Sequence, residues 1–283
     1  MGYTRPTTIT QDLLVSAPLP SHGKTYTVIP HKDVIETTKT LLDISGFTIT
    51  KELYRANMNA RVAQGVYHLA SDEDPEMGMM FAWTNSYDKS TRFQCAVGAF
   101  VNVCSNGMLC GDMANYARKH TGKADHDIHT QLSSQIKSAN KYYTKLIQDK
   151  NEMRKIFLSK KEQAELVGRL FLDNEIIDAS QVSCIKTEMK EPSFDYNADL
   201  NNAWTFYNHV THSFKKSHPR TWMSDQVKFH EFMTAELLSQ AGLHEMDKNW
   251  NGYVAPPEND FMLGSDFDAD MEAQDEIFGE FKI

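Results

Sequence analysis

Residues 92–104, RFQCAVGAFVNVC, place Phe93, Cys95, Val97, Ala99, Val101 and Val103 at alternate positions. A period of two over this length signals a β-strand, because successive side chains of an extended chain point to opposite faces. It predicts one buried face and one face free for solvent or ligand. Working backwards, residues 85–90 read as the turn between two antiparallel strands, and 77–83 supply the partner strand. The runs 60–69 and 47–50 add two more, and Asn106-Gly107 is a tight-turn signal just beyond. The expectation is an antiparallel sheet of about four strands.

Helical patterns flank this block. A helix fits 32–45, with Val34, Ile35, Thr38, Leu41 and Leu42 on one face and Gly46 at the C-terminal cap. Residues 25–29 form a short β-type run, and residues 1–24, rich in Pro, Thr and Ser, read as an irregular arm. After Gly111 the spacing becomes helical. Residues 133–157 carry Ile136, Tyr143, Leu146, Ile147, Met153 and Ile156 near helical spacing. Ser159 and Glu162 form a capping box before Leu166, Val167, Leu170 and Phe171. Further helices fit 199–214 and 224–240. The fold class is α+β: one domain over 25–255, a helix plus sheet to about 111 and mainly helical after.

Apolar residues make up 41% and charged residues 24%, an ordinary globular balance. No apolar run approaches the roughly 20 residues needed to span a bilayer. The N-terminus has no apolar core behind its charge, so it does not read as a secretory signal. Cys95, Cys104, Cys110 and Cys184 form no CxxC pair, which suits free thiols in a reduced cytoplasmic protein. The net charge of −9 is unevenly held. Residues 256–283 contain nine acids against Lys282, a net of −8, leaving the body at −1. Phe261, Phe267, Phe278 and Phe281 are spaced among those acids, and such a segment is expected to be a disordered tail.

Several ordered motifs resemble a phage- or plasmid-like family known as a domain of unknown function. They are Trp83-Thr84-Asn85-Ser86-Tyr87-Asp88-Lys89-Ser90, then Val103-Cys104-Ser105-Asn106, then Gly111-Asp112, then Arg118-Lys119-His120-Thr121. The later stretch Trp204-Thr205-Phe206-Tyr207-Asn208-His209-Val210-Thr211 resembles the same family's "W-x-x-Y-N-x-V-T" helix. The resemblance implies a mobile-element setting and no particular chemistry. Tyr87 stands where His is common in that pattern, which weakens any role for the ring as a proton shuttle. The order of helix, antiparallel sheet and basic helices is also similar to phage single-strand annealing proteins at the level of fold alone.

No Walker loop, GxGxxG or GxSxG is present, so a binding protein is expected rather than an enzyme. From Arg118 to Arg169 twelve basic residues face six acids. Lys137, Lys141 and Lys145 are four apart, forming one row on a helix with Tyr143 beside them. Ammonium groups beside an aromatic ring suit phosphates and stacked bases, whereas charge rows more often simply face solvent. The turn holding Lys89 and Arg92, and the pair Arg118 and Lys119, complete the candidate nucleic-acid interface. Asp88, Lys89, Asp112 and His120 fit no metal-site template, and His120, His126 and His129 lack zinc-ligand spacing. No metal and no cofactor are expected.

The leading expectation is a phage or plasmid DNA-metabolism protein that binds single-stranded DNA, with a role in annealing or recombination. Its tail, with Asp275, Glu276, Phe278 and Phe281, would dock a replication, recombination or host protein or regulate DNA binding. A homo-oligomer is compatible with this reading, and a membrane role is not expected. The alternative is a host-takeover or anti-defence factor that binds a host protein and mimics nucleic acid with its acidic tail.

Overall fold

Strand propensity and the two-residue period produce four long neighbouring strands. In a computed structural model of the protein, residues 7–20, 27–103, 106–109, 117–118, 124–196 and 198–238 are described. All of them lie in the first of two units, Met1–Glu245. The expected acidic tail lies outside the described residues.

The strands are β1 (Thr7–Ile9), β2 (Ile49–Ala56), β3 (Val62–Leu69), β4 (Met77–Ser86), β5 (Phe93–Val101), β6 (Gly107–Leu109) and β7 (Ala117–Arg118). They form one antiparallel sheet in the order β1-β2-β3-β4-β5-β6, with β7 also paired to β5. β2 to β5 are the expected strands, and among the described residues the count rises to seven through three short edge pieces. These have two or three residues each, too short for any period to show.

The helices are α1 (Gln11–Val15), α2 (His31–Ile44), α3 (Ala124–Lys137), α4 (Ala139–Lys155), α5 (Lys160–Leu172), α6 (Ala179–Glu188), α7 (Ala203–Ser213) and α8 (Pro219–Met233). α2 ends as expected, with Gly46 in the left-handed region at φ 83° and Phe47 N donating to Leu42 O at 2.9 Å. The Ser159–Glu162 capping box starts α5, and a second box, Asp178–Gln181, starts α6. Three expectations are corrected. The first residues are not wholly irregular, since β1 pairs with β2 and Leu14 of α1 is buried. Residues 27–30 are not a strand, although Val28 and Ile29 are buried. The long helix expected over 133–157 is interrupted at Ser138, whose backbone N–H bonds Gln135 O instead of continuing the helical ladder.

The expected open face of the sheet is absent along β3, β4 and most of β5, which are buried on both sides. Tyr54, Gly65, Tyr67, Trp83 and Asn85 share the face toward α2, where Trp83 Nε1 donates to Tyr67 Oη at 3.2 Å. Thr84 shares the opposite face and donates to Pro219 O of α8 at 3.3 Å. Two of the alternate positions of β5, Ala96 and Gly98, are small and leave room on that face. β-Sheets covered on both faces need apolar or small residues at every position.

One end of the sheet, the loop joining β3 to β4, is closed by charge. Asp74 accepts from the backbone N–H groups of Glu76 and Met77 and from Lys150 Nζ of α4, with Lys150 only 4% exposed. Arg154 donates to Glu76 Oε2 at 2.6 Å. Breaking the buried Lys150–Asp74 pair costs about 3–5 kcal/mol, because the remaining charge stays buried.

Candidate functional site

The opposite end of the sheet is formed by the turns joining β2 to β3 and β4 to β5. Turn residues there divide into anchors and presented groups. Asn85 Nδ2 donates to Ile29 O at 2.8 Å and to His31 Nδ1 at 2.9 Å. His31 therefore carries its proton on Nε2, which donates to Ala60 O at 2.9 Å. Tyr87 Oη accepts from His31 N at 2.7 Å while the two rings stack with centroids 3.8 Å apart. Burial pushes the Tyr87 hydroxyl up to about 12, so the ring is an anchor and no proton shuttle. Ser86 Oγ donates to Thr91 O at 2.7 Å, and Asp88 Oδ1 accepts from Ser90 N at 2.9 Å. Between them Lys89 is exposed, in the left-handed region at φ 60°.

Around this turn the fold gathers cations from distant stretches of chain. Arg61 precedes β3 and its carbonyl accepts from Tyr87 N. Arg92 precedes Phe93, which pairs with Arg118 across β5 and β7. Arg55 of β2 donates through Nη2 to Lys215 O and Ser217 O, at 3.3 and 2.7 Å. That fixes the short turn carrying the exposed Lys215 and Lys216 beside the N-terminus of α8, where His218 caps Arg220 N. Burial, then the nearby Arg220 and Arg55 cations, hold the His218 imidazole below the usual range, and Asp88 acts in the opposite direction. The β4–β5 turn, β2 and the start of α8 thus feel one another electrostatically. Acids are interspersed: Asp88 acts on His218, Asp33 on Tyr87, and burial raises Asp225, bonded to Thr221 and Ser217, to about 6.

Next to Lys215 lies a cleft of about 320 Å³, lined by Pro192, Phe194, Asp195, Tyr196, Leu200 and Thr205 among others. Lys215 Nζ stands 5.2 Å from the Phe194 ring centroid. The same ring is braced by Tyr196 at 6.4 Å and His212 at 5.8 Å. Behind it, Glu188 accepts from both Oγ and N of Ser193. Burial opposes ionisation of Glu188, yet those two bonds and the nearby histidines hold its carboxyl below the usual range. Burial lowers His209 to about 4, against the attraction of Glu188, so this imidazole is neutral.

The expected residues meet different fates. Lys89, Arg92 and the backbone of Arg118 come to one end of the sheet; the Arg118 side chain and all of Lys119 lie outside the described residues. Lys137 closes α3 whereas Lys141 and Lys145 belong to α4, so the single row is broken at Ser138. Lys137 and Lys141 are exposed, and Lys145 pairs with Asp149 at 3.4 Å. Tyr143 is corrected: it is wholly buried and its hydroxyl donates to Met77 O, leaving no ring face for a base. Asp275, Glu276, Phe278 and Phe281 lie outside the described residues, as do Asp112 and His120. Among the described residues no group of three His, Cys, Asp or Glu is placed to hold a metal ion. Sequence reasoning missed Arg55, Arg61, Lys215, Lys216 and Arg220, whose only sequence signal is the adjacent pair 215–216.

The motif segments also join inside the fold. Asn106 Nδ2 donates to Asn208 O at 3.0 Å and to Asn208 Oδ1 at 3.3 Å, tying the end of the strand motif to the helix motif. Tyr207 from that helix meets His230, which in turn meets Asp149 at 3.2 Å.

These features define an α+β protein with cations gathered at one end of the sheet and a cleft whose Phe194 ring Lys215 approaches. The chain belongs to the family described as domain of unknown function (DUF932), whose model matches residues 18–240. No curated protein and no solved structure matches it. Among the described residues no helix is long and apolar enough to cross a membrane.

Proposed function

We propose that this protein binds single-stranded nucleic acid along the cationic end of its sheet, as a cytoplasmic DNA-handling protein of a phage or plasmid, in annealing or recombination. The observation that carries the reading is that Arg55, Arg61, Lys89 and Arg92 lie at one end of the sheet, to which Arg55 ties the turn bearing Lys215 and Lys216 beside Arg220. Cations drawn together from separate segments raise the local potential for a phosphate backbone even on a nearly neutral body. An adjacent ring offers the sequence-tolerant stacking surface that single strands use. The sheet face drops out of the interface because helices cover it, and Lys137 and Lys141 become an extension along α3 and α4. Residues 256–283 are proposed to dock a replication, recombination or host protein, and their charge opposes the approach of a polyanion at low salt.

The test is binding of labelled single-stranded and duplex DNA of one sequence, at low and moderate salt, with and without residues 256–283. Single strands should bind more tightly, affinity should fall steeply with salt, and removing the acidic segment should strengthen binding at low salt. Absence of salt-dependent binding by the folded chain in both forms overturns the reading.

A further inference from the structure

We infer that the cleft bounded by Phe194 and Tyr196 takes one unstacked base of the bound strand, while Lys215 holds the adjoining phosphate outside. This rests on the proposed single-strand reading and specifies where that strand is gripped. The cleft's volume of about 320 Å³ is at the small end for ligand sites, which run to about 1,000 Å³, and suits a single ring system. Its walls combine the half-buried Phe194 ring with Pro192 and the exposed Leu200, over the buried Tyr196, an apolar lining for a flat heterocycle. Phe194 is already fixed by Tyr196, His212 and Lys215, so little side-chain entropy is lost when a base stacks there.

Charge sets the polarity of the grip. Asp195 is part of the cleft lining, and a carboxylate there disfavours a phosphate inside. Lys215 is exposed and lies outside the cleft lining, with its Nζ 5.2 Å from the same ring, where a phosphate is attracted. A nucleotide carries an uncharged aromatic base at one end and an anion at the other, matching this order. Arg55 holds the backbone of Lys215 and Ser217, so the lysine over the Phe194 ring is tied to the cationic sheet end, while Tyr196 O of the cleft accepts from Arg154. Double-stranded DNA cannot engage the cleft without extruding a base, which costs a few kcal/mol.

The experiment compares a labelled thymidine oligonucleotide with an abasic strand of equal length, by fluorescence anisotropy, on the full chain and three variants. Stacking is worth about 1–3 kcal/mol per base, so the parent should prefer the thymidine strand by about tenfold. Phe194→Ala should erase most of that preference, with a smaller loss on the abasic strand because the ring also positions Lys215. Phe194→Leu, which retains the apolar packing, should behave in the same way and guards against a folding artefact. Lys216→Glu should weaken both strands alike. Equal binding of the two strands by the parent overturns the base site while leaving the single-strand reading intact. So does an equal loss on both strands in Phe194→Ala. Binding of neither strand by the folded parent overturns both.

Discussion

Arg55 of β2 and Ser217, 162 residues later, are joined by a bond of 2.7 Å from the guanidinium to the backbone carbonyl. With the second bond to Lys215 O, one side chain sets where the lysine turn stands against the sheet. Replacing Arg55 with Ala should cost about 1.5–3 kcal/mol, the usual range for hydrogen bonds to charged groups. Arg55→Lys should recover little, since a single ammonium cannot reproduce the fork. Urea midpoints measure the stability loss, and the same variants should bind DNA less tightly. A variant with unchanged midpoint and affinity would remove Arg55 from the site.

Charge reversal at Lys89, Arg92 and Lys216 together should weaken binding across all single-stranded sequences. The slope of log affinity against log salt should become shallower by about 0.7 for every phosphate that the variant no longer neutralises. Reversal at Lys137 and Lys141 measures whether the surface reaches α3 and α4. Affinity unchanged in the first triple variant, with circular dichroism intact, would move the interface elsewhere.

Stability should fall as pH drops from 6.5 toward 4. Burial lowers both His68 and His209 from 6.5 to about 4 in the fold, so across that window the unfolded chain binds the extra protons. Each histidine contributes stability that is present above 6.5 and lost progressively below it, by at most about 1.4 kcal/mol per pH unit. Denaturant midpoints at pH 7.5 and 5.5 give the slope, and His209→Gln should make it shallower. A flat profile in the parent contradicts the neutral, buried assignment.

Gly65 leaves space for the Trp83 ring: a Cβ added there would come within 2.4 Å of the indole. Gly65→Ala should therefore cost at least about 1–3 kcal/mol through overpacking. The near-ultraviolet circular dichroism of Trp83 should change with it. An unaltered spectrum and midpoint would mean that the sheet is less tightly packed than this close approach implies.

Much of the sheet is legible in the chain because Phe93 to Val101 alternate cleanly. The opposite positions are harder to read. Ala96 and Gly98 are as compatible with an open face as with a covered one, and the covering helix α8 begins more than a hundred residues later. A break of one residue at Ser138 leaves the four-residue spacing of Lys137, Lys141 and Lys145 untouched, so no spacing argument detects it. Tyr143 is legible as a core position by its helical period with Leu146 and Met153, and only its neighbouring lysines draw it toward the interface. The cationic end itself is tertiary: Arg55 and Lys215 have no local relation in sequence, and the Asn85–Arg92 turn and the adjacent pair 215–216 are its local signals.

The four inner strands run from eight to ten residues, while β1, β6 and β7 have three, three and two. Unpaired strand edges template assembly with other chains, and short edge strands blunt that hazard. Among the described residues β1 shields β2 along Tyr54 to Ala56; toward its start, β2 presents the exposed Lys51 and Glu52 instead. Protection against fibrillar self-association thus divides between a three-residue clasp and a pair of charges. Removing the clasp together with both charges would leave a long, sticky border on an otherwise well-packed sheet.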